Sequence, residues 1–392
     1  MDTRHLFDTL AGQEPPLTTV DVGRAVADGR ATRRRRRTAL TAGALSVLLI
    51  AWLGVAQARG GGDVAVSVRG DALPASGVGP LRHAYYDWCG KKWTPGKGGP
   101  FADKECVQWR VVTRTGQTFR MPEALSVYTD QTEANYMNTA APLVITPDGR
   151  RVAYYSEKDQ RFAVRDLAGG QIWLTPQKVD RKTMVKGGVM LKLSPDGRHL
   201  GLNGVGLPNA VVDVETGRVT EMPEGWQVLE VGDGGGGVVV GDQRLRLGLL
   251  SGGEVHPFSA VNTRFDVGGL APDGRTVAYL TGGEDGDPGK LGKSRPDDTI
   301  VTIDGMTGKI MTKVTFRGAP KDFRPWSMGS WVSPTEVAVS DVLHDRAWMK
   351  DRSITPTMGE VTYAIDVNTG RVRKLAVYSF RGWSGDVVMP GF

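Results

Sequence analysis

The strongest constraint on this chain is a turn that it spells three times. Thr146-Pro147-Asp148-Gly149-Arg150, Ser194-Pro195-Asp196-Gly197-Arg198 and Ala271-Pro272-Asp273-Gly274-Arg275 share one pattern. Each is followed by a strand-like run: Val152-Ala153-Tyr154-Tyr155, His199-Leu200-Gly201-Leu202 and Val277-Ala278-Tyr279-Leu280. Proline presets φ for the first turn position, the aspartate side chain closes the turn, and glycine accepts the positive φ that follows. The pattern therefore predicts a tight hairpin between antiparallel strands. A second, weaker hairpin signal recurs six times, at Thr115-Gly116, Gly169-Gly170, Thr216-Gly217, Gly252-Gly253, Thr307-Gly308 and Thr369-Gly370.

The two signals alternate. Pro147 is followed by Gly170, Pro195 by Gly217 and Pro272 by Gly308; degraded first turns at Asp233 to Gly237 and at Ser333-Pro334-Thr335 precede Gly253 and Gly370. Gly116 has no first turn before it, and Ser384-Gly385-Asp386 reads as a first turn with no partner after it, so the two ends of the chain complement each other. An all-β, six-bladed β-propeller is predicted, with four strands per blade and one blade shared between the termini. The run 383–392 is expected to supply that blade's two inner strands, and 107–121 its two outer ones. Seven blades are the alternative, because the stretch from His83 to Cys106 has room for more strands; an open sandwich with repeated turns is the competing architecture. Glycine, at 53 of 392 residues, suits a chain with this many reversals.

The S/T-P-D-G-R-x-φ-A-Y pattern resembles the repeats of TolB-type, WD40-like (PD40-motif) propellers, over roughly 107–392. In those families the motif is structural. The resemblance implies a fold and no particular activity, since propellers host both binding proteins and enzymes. The order of tail, arginine run, apolar segment and propeller is similar to that of membrane-anchored bacterial proteins.

The N-terminal part differs. Thr38 to Ala58 contains no charged residue, and its 21 positions would make a helix of about 31 Å, close to the hydrocarbon thickness of a bilayer. Arg33, Arg34, Arg35, Arg36 and Arg37 precede it, which predicts a plasma-membrane, single-pass signal-anchor with its N-terminus in the cytoplasm and its C-terminal domain extracytoplasmic. Two alternatives stand beside this: an exported chain cleaved after Ala56-Gln57-Ala58, for which Arg36-Arg37 also loosely fits a twin-arginine signal, and a buried core helix. The predicted organisation is a cytoplasmic Arg-rich tail over 1–37, a transmembrane helix over 38–58, a linker over 59–84 and the propeller over 85–392. The net charge is +6, but residues 38–392 hold 41 basic and 38 acidic residues, so the body has no basic excess for nucleic acid.

Two cysteines exclude a disulfide-dense scaffold, and no cofactor or metal motif appears. Cys89 and Cys106, with sixteen residues between them and expected outside the cytoplasm, predict a disulfide whose loop closure is worth about 3 kcal/mol in the chain-entropy model. Two unpaired thiols are the alternative. Gly292-Lys293-Ser294 lacks the upstream glycine and strand of a phosphate loop, and Asp285 and Asp287 fit no EF-hand.

In a four-stranded blade, the loops joining the second and third strands share a face with the blade-to-blade connections. On that face fall two long loops, 281–298 and 341–360, and the connections 122–141 and 318–328. They carry the candidate binding residues Tyr128, Phe323, Trp326, His344, Arg346, Trp348 and Arg352. Long loops on a rigid frame, with aromatic and arginine side chains, favour recognition of a protein or glycan partner. The expected function is a noncatalytic binding or scaffold module for an envelope protein, peptide or glycan. The alternatives are a propeller hydrolase or lyase acting on an extracellular sugar or lactone, for which no catalytic motif is found, and a cleaved, exported propeller acting in envelope assembly.

Overall fold

A computed structural model describes residues 71–86, 108–126, 141–186, 188–242, 246–258, 267–282, 296–321, 323–343, 357–381 and 387–392. All belong to the unit Ser67–Phe392. The tail, the segment 38–58, and Cys89 and Cys106 lie outside these residues.

Six antiparallel four-stranded sheets form the blades of a propeller. Blade 1 holds β1 (Leu81–Tyr86), β2 (Trp109–Thr113) and β3 (Thr118–Arg120). Blade 2 holds β4 (Leu143–Ile145), β5 (Arg151–Ser156), β6 (Arg161–Asp166) and β7 (Ile172–Leu174). Blade 3 holds β8 (Met190–Leu193), β9 (His199–Asn203), β10 (Ala210–Asp213) and β11 (Val219–Glu221). Blade 4 holds β12 (Trp226–Val231), β13 (Val238–Asp242), β14 (Leu247–Ser251) and β15 (Glu254–Pro257). Blade 5 holds β16 (Val267–Leu270), β17 (Thr276–Gly282), β18 (Pro296–Asp304) and β19 (Lys309–Thr315), and blade 6 holds β20 (Ser327–Ser333), β21 (Glu336–Val342), β22 (Thr357–Asp366) and β23 (Val372–Arg381). The innermost strand of blade 1 is β24 (Val387–Val388), which pairs with β1 through Ala84–Val388 and Tyr85–Val387.

Every repeated turn falls where the alternation places it. The Pro-Asp-Gly turns join first and second strands, and all six weaker signals join third and fourth strands. At the first turn, Asp148 Oδ1 accepts from the Thr146 hydroxyl (2.7 Å) and the Arg150 N–H (2.9 Å). Ser194, Asp196 and Arg198 repeat this geometry. Ala271 has no hydroxyl; Asp273 keeps the Arg275 N–H and adds the N–H and hydroxyl of Thr276.

A further repeat joins the two kinds of turn. The aspartate ending the third strand caps the next turn: Asp166 on Gly169, Asp213 on Glu215 and Thr216, Asp304 on Met306 and Thr307, Asp366 on Asn368 and Thr369. In blades 3 and 5 the arginine of the first turn then grips it, Arg198 on Asp213 and Arg275 on Asp304. The middle strands lie between neighbouring blades, so both their faces are buried, as in β5. Fourth strands such as β11 and β19 are largely exposed.

Closure departs from the expected scheme. The C-terminal run gives one inner strand, β24, not two. The second strand of blade 1 is β1, which starts at Leu81 within the stretch read as linker. Ser384-Gly385-Asp386 lies in sequence between β23 and β24, outside the described residues. The stretch from His83 contributes this strand to blade 1, and the described sheets number six. Residues 71–80 form a strap over blades 1 and 2: Leu73 donates to Arg120, Gly77 to Ala168 and Val78 to Leu167. Arg165, 4% exposed, holds the strap from below with bonds to the carbonyls of Pro74 and Ala75 and an ion pair to Glu123. Beyond β24, Gly391 donates to Ile145 of blade 2 and accepts from Ser330 of blade 6, so these last residues tie both neighbours of blade 1.

Candidate functional site

The strands are of unequal length, which raises one part of the ring. The second and third strands of blades 1 to 4 have four to six residues, whereas β17 and β21 have seven, β18 nine and β22 ten. The register of blade 6 runs out to Val342–Glu360, and that of blade 5 to Gly282–Pro296. Both hairpins thus extend on the face of the blade-to-blade connections. Residues 283–295 and 344–356 themselves, with His344, Arg346, Trp348 and Arg352, and also Tyr128, lie outside the described residues.

The two remaining candidates separate. Trp326 is 57% exposed at the base of this rim, its N–H held by Ser340 O at 3.0 Å. Phe323 is core: it is 3% exposed, edge-on to Phe316 (5.6 Å) and Tyr363 (4.9 Å). Its neighbour Arg324 explains the inward turn, since the Arg324 N–H donates to the buried Asp341 (3.0 Å) and so fixes the backbone with Phe323 beneath it.

The opposite face holds the repeated turns, and two cavities lined by described residues open there. The centre of the ring is nearly filled, leaving about 20 Å³ between Lys192, Glu230, Val231, Ile145 and Phe392, with Lys192 and Glu230 paired at 2.5 Å. Between blades 3 and 4 a cavity of about 370 Å³ is bordered by His199, Arg218 and Gly234 to Gly236. There the Asp196 N–H donates to Asp233, and the Gly234 N–H to Asp196. Burial and the neighbouring Asp196 raise the Asp233 carboxyl. Burial would also raise Asp196, but hydrogen bonds from Ser194, Arg198 and Gly234 outweigh this and lower it.

The larger cavity, about 410 Å³, lies between blades 6 and 1. Arg82 and Arg114 border it, and Leu81, Trp331, Val332, Leu375 and Phe392 form most of an apolar wall. The Tyr378 hydroxyl is held by Thr362 and lies near both arginines; burial raises it, while the hydrogen bond and the two cations pull the other way. No sequence signal points to this cleft, because positions 82, 114, 331, 378 and 392 meet only through ring closure. Among the described residues no group of three or more His, Cys, Asp and Glu is placed to hold a metal ion. None of their helices is long and apolar enough to cross a membrane.

No family model matches the chain, and no curated protein matches it. Among solved structures it is similar to the hydrazine synthase of Kuenenia stuttgartiensis. That match has 14% identity and a TM-score of 0.37, over 62% of this chain and 68% of the other.

Proposed function

We propose that this chain is a noncatalytic recognition propeller of the TolB or PD40 type, held at a membrane by 38–58 and displayed outside the cytoplasm, where it binds an envelope protein, peptide or glycan. The observation carrying this reading is the raised rim of blades 5 and 6, with Trp326 exposed at its base. Elongated hairpins present long loops on a rigid frame, which is how recognition surfaces are commonly built. The turn carboxylates support a noncatalytic role. Asp213, Asp304 and Asp366 are each engaged with turn N–H groups, and arginines hold the first two. The exported setting rests on the Arg33 to Arg37 run before the apolar segment.

The test is in-cell photo-crosslinking from position Trp348 in the full chain. One dominant crosslinked envelope protein is the expected result. Absence of any protein crosslink from a folded, exported chain would overturn recognition of a protein and turn attention to a glycan or an enzymatic role.

A further inference from the structure

We infer that the cleft between blades 6 and 1 binds a small ligand that joins a carboxylate to an apolar body. Arg82 on β1 and Arg114 in the turn after β2 both border the cavity. Each spends one guanidinium N–H on a main-chain carbonyl: Arg82 on Val377 O at 2.9 Å, and Arg114 on Pro147 O at 3.4 Å. Among the described residues, neither has a side-chain carboxylate within 4 Å. The arginines of neighbouring turns are different: Arg150, Arg151, Arg198 and Arg275 all stand against a carboxylate. Asp148, the one acidic residue of the wall, keeps Oδ1 engaged with Thr146 and Arg150 in its own turn.

Two cations without counter-ions among the described residues thus face a cavity whose other side is apolar. Guanidinium forks match a carboxylate with two parallel hydrogen bonds, and such bonds gain strength beside apolar surface, where water competes less. Leu81, Trp331, Val332 and Leu375 give the body of the ligand its contact surface. A volume of about 410 Å³ lies in the range of small-molecule sites and is too small for a folded partner. The Tyr378 hydroxyl, beside both arginines, adds a polar group at the charged end. This site is on the turn face, away from the blade 5–6 rim, and stands whether or not the rim binds a partner.

The experiment is calorimetric titration of the full chain with N-acetyl-L-phenylalanine, its uncharged amide, and acetate. The acid should bind measurably, and the amide and acetate about tenfold or more weakly, because one lacks the charge and the other the body. Arg82→Gln and Arg114→Gln should each weaken the acid about tenfold or more, while Arg82→Lys retains part of the affinity. Val332→Glu, at a half-exposed wall position, places a competing carboxylate beside intact arginines and should abolish binding without disturbing the fold. Equal binding of acid and amide, no binding of the acid, or unchanged affinity in both glutamine variants and Val332→Glu would each overturn the assignment.

Discussion

His83 makes the stability of the ring depend on mildly acidic pH. It is 9% exposed on β1, between Tyr85 (ring centroids 6.0 Å apart) and Tyr378 of blade 6 (5.8 Å), and its Nδ1 has no hydrogen-bond partner. Burial, with a smaller contribution from the adjacent Arg82, lowers its pKa from 6.5 to about 4. Between these values the unfolded chain holds a proton that the folded chain rejects, so stability rises with pH. The contribution is complete above about pH 6.5, falls as the pH drops, and is gone near pH 4. The full difference corresponds to about 3 kcal/mol, and about 2 kcal/mol of it is lost by pH 5. Urea unfolding at pH 7.5, 6 and 5 measures this directly. The wild-type free energy should fall by about 2 kcal/mol more over this range than that of His83→Gln. Lost ring packing in the variant shifts its curve by a constant and leaves the slope to report the proton. Parallel pH curves for the two proteins would refute the reasoning.

Other consequences follow from the same geometry. Arg165→Met removes the ion pair to Glu123 and both strap contacts; a buried pair is worth about 3–5 kcal/mol on truncation, and partial exposure of Glu123 places the expected loss near the lower value. Amide exchange should then rise at Leu73, Gly77 and Val78 while blade 4 is unchanged, and uniform exchange would contradict this. Gly149 has φ +76°, and an added Cβ would lie 2.3 Å from Leu81 O, whereas Gly116 has φ +88° with open space around it. Gly149→Ala should therefore destabilise by more than the ~1–2 kcal/mol of left-handed strain expected for Gly116→Ala, and equal thermal shifts would show that the start of β1 yields. Asp304 is lowered from 3.8 to about 2, chiefly by the hydrogen bonds from Arg275. Its stabilising effect is present above pH 3.8 and fades as the pH falls through 2, so Arg275→Gln should unfold in acid at a higher midpoint than wild type, and an unmoved midpoint would discount the pair.

The turns were legible because their chemistry is local. Asp148 meets Thr146 and Arg150 within five residues, and Gly217 needs only its own positive φ and the Asp213 cap. Closure was less legible, since β24 has two residues and two residues show no periodicity. Leu81–Tyr86 alternates too weakly to announce that it completes a sheet begun by Val387. The strap was hidden for another reason: its bonds are main-chain groups gripped by Arg165, whose partners lie about 90 positions away. Phe323 shows the limit of composition, for an aromatic in a connecting segment reads as a contact residue until Tyr363 and Phe316 are found around it. The cleft of Arg82 and Arg114 was beyond reach, because nothing in either residue's neighbourhood distinguishes it from a solvated surface arginine.

The way Gly391 bridges Ile145 and Ser330 has a bearing on biosynthesis. Blades 2 to 6 can assemble in order as the polypeptide emerges, but the seam waits for residues 387–392 to arrive and reach two separate neighbours. A product lacking residues 387–392 would leave three strands of blade 1 facing an empty slot and the centre of the disc without Phe392. Such a product carries unpaired β edges that invite association and degradation, so only a chain that has reached this seam hides them.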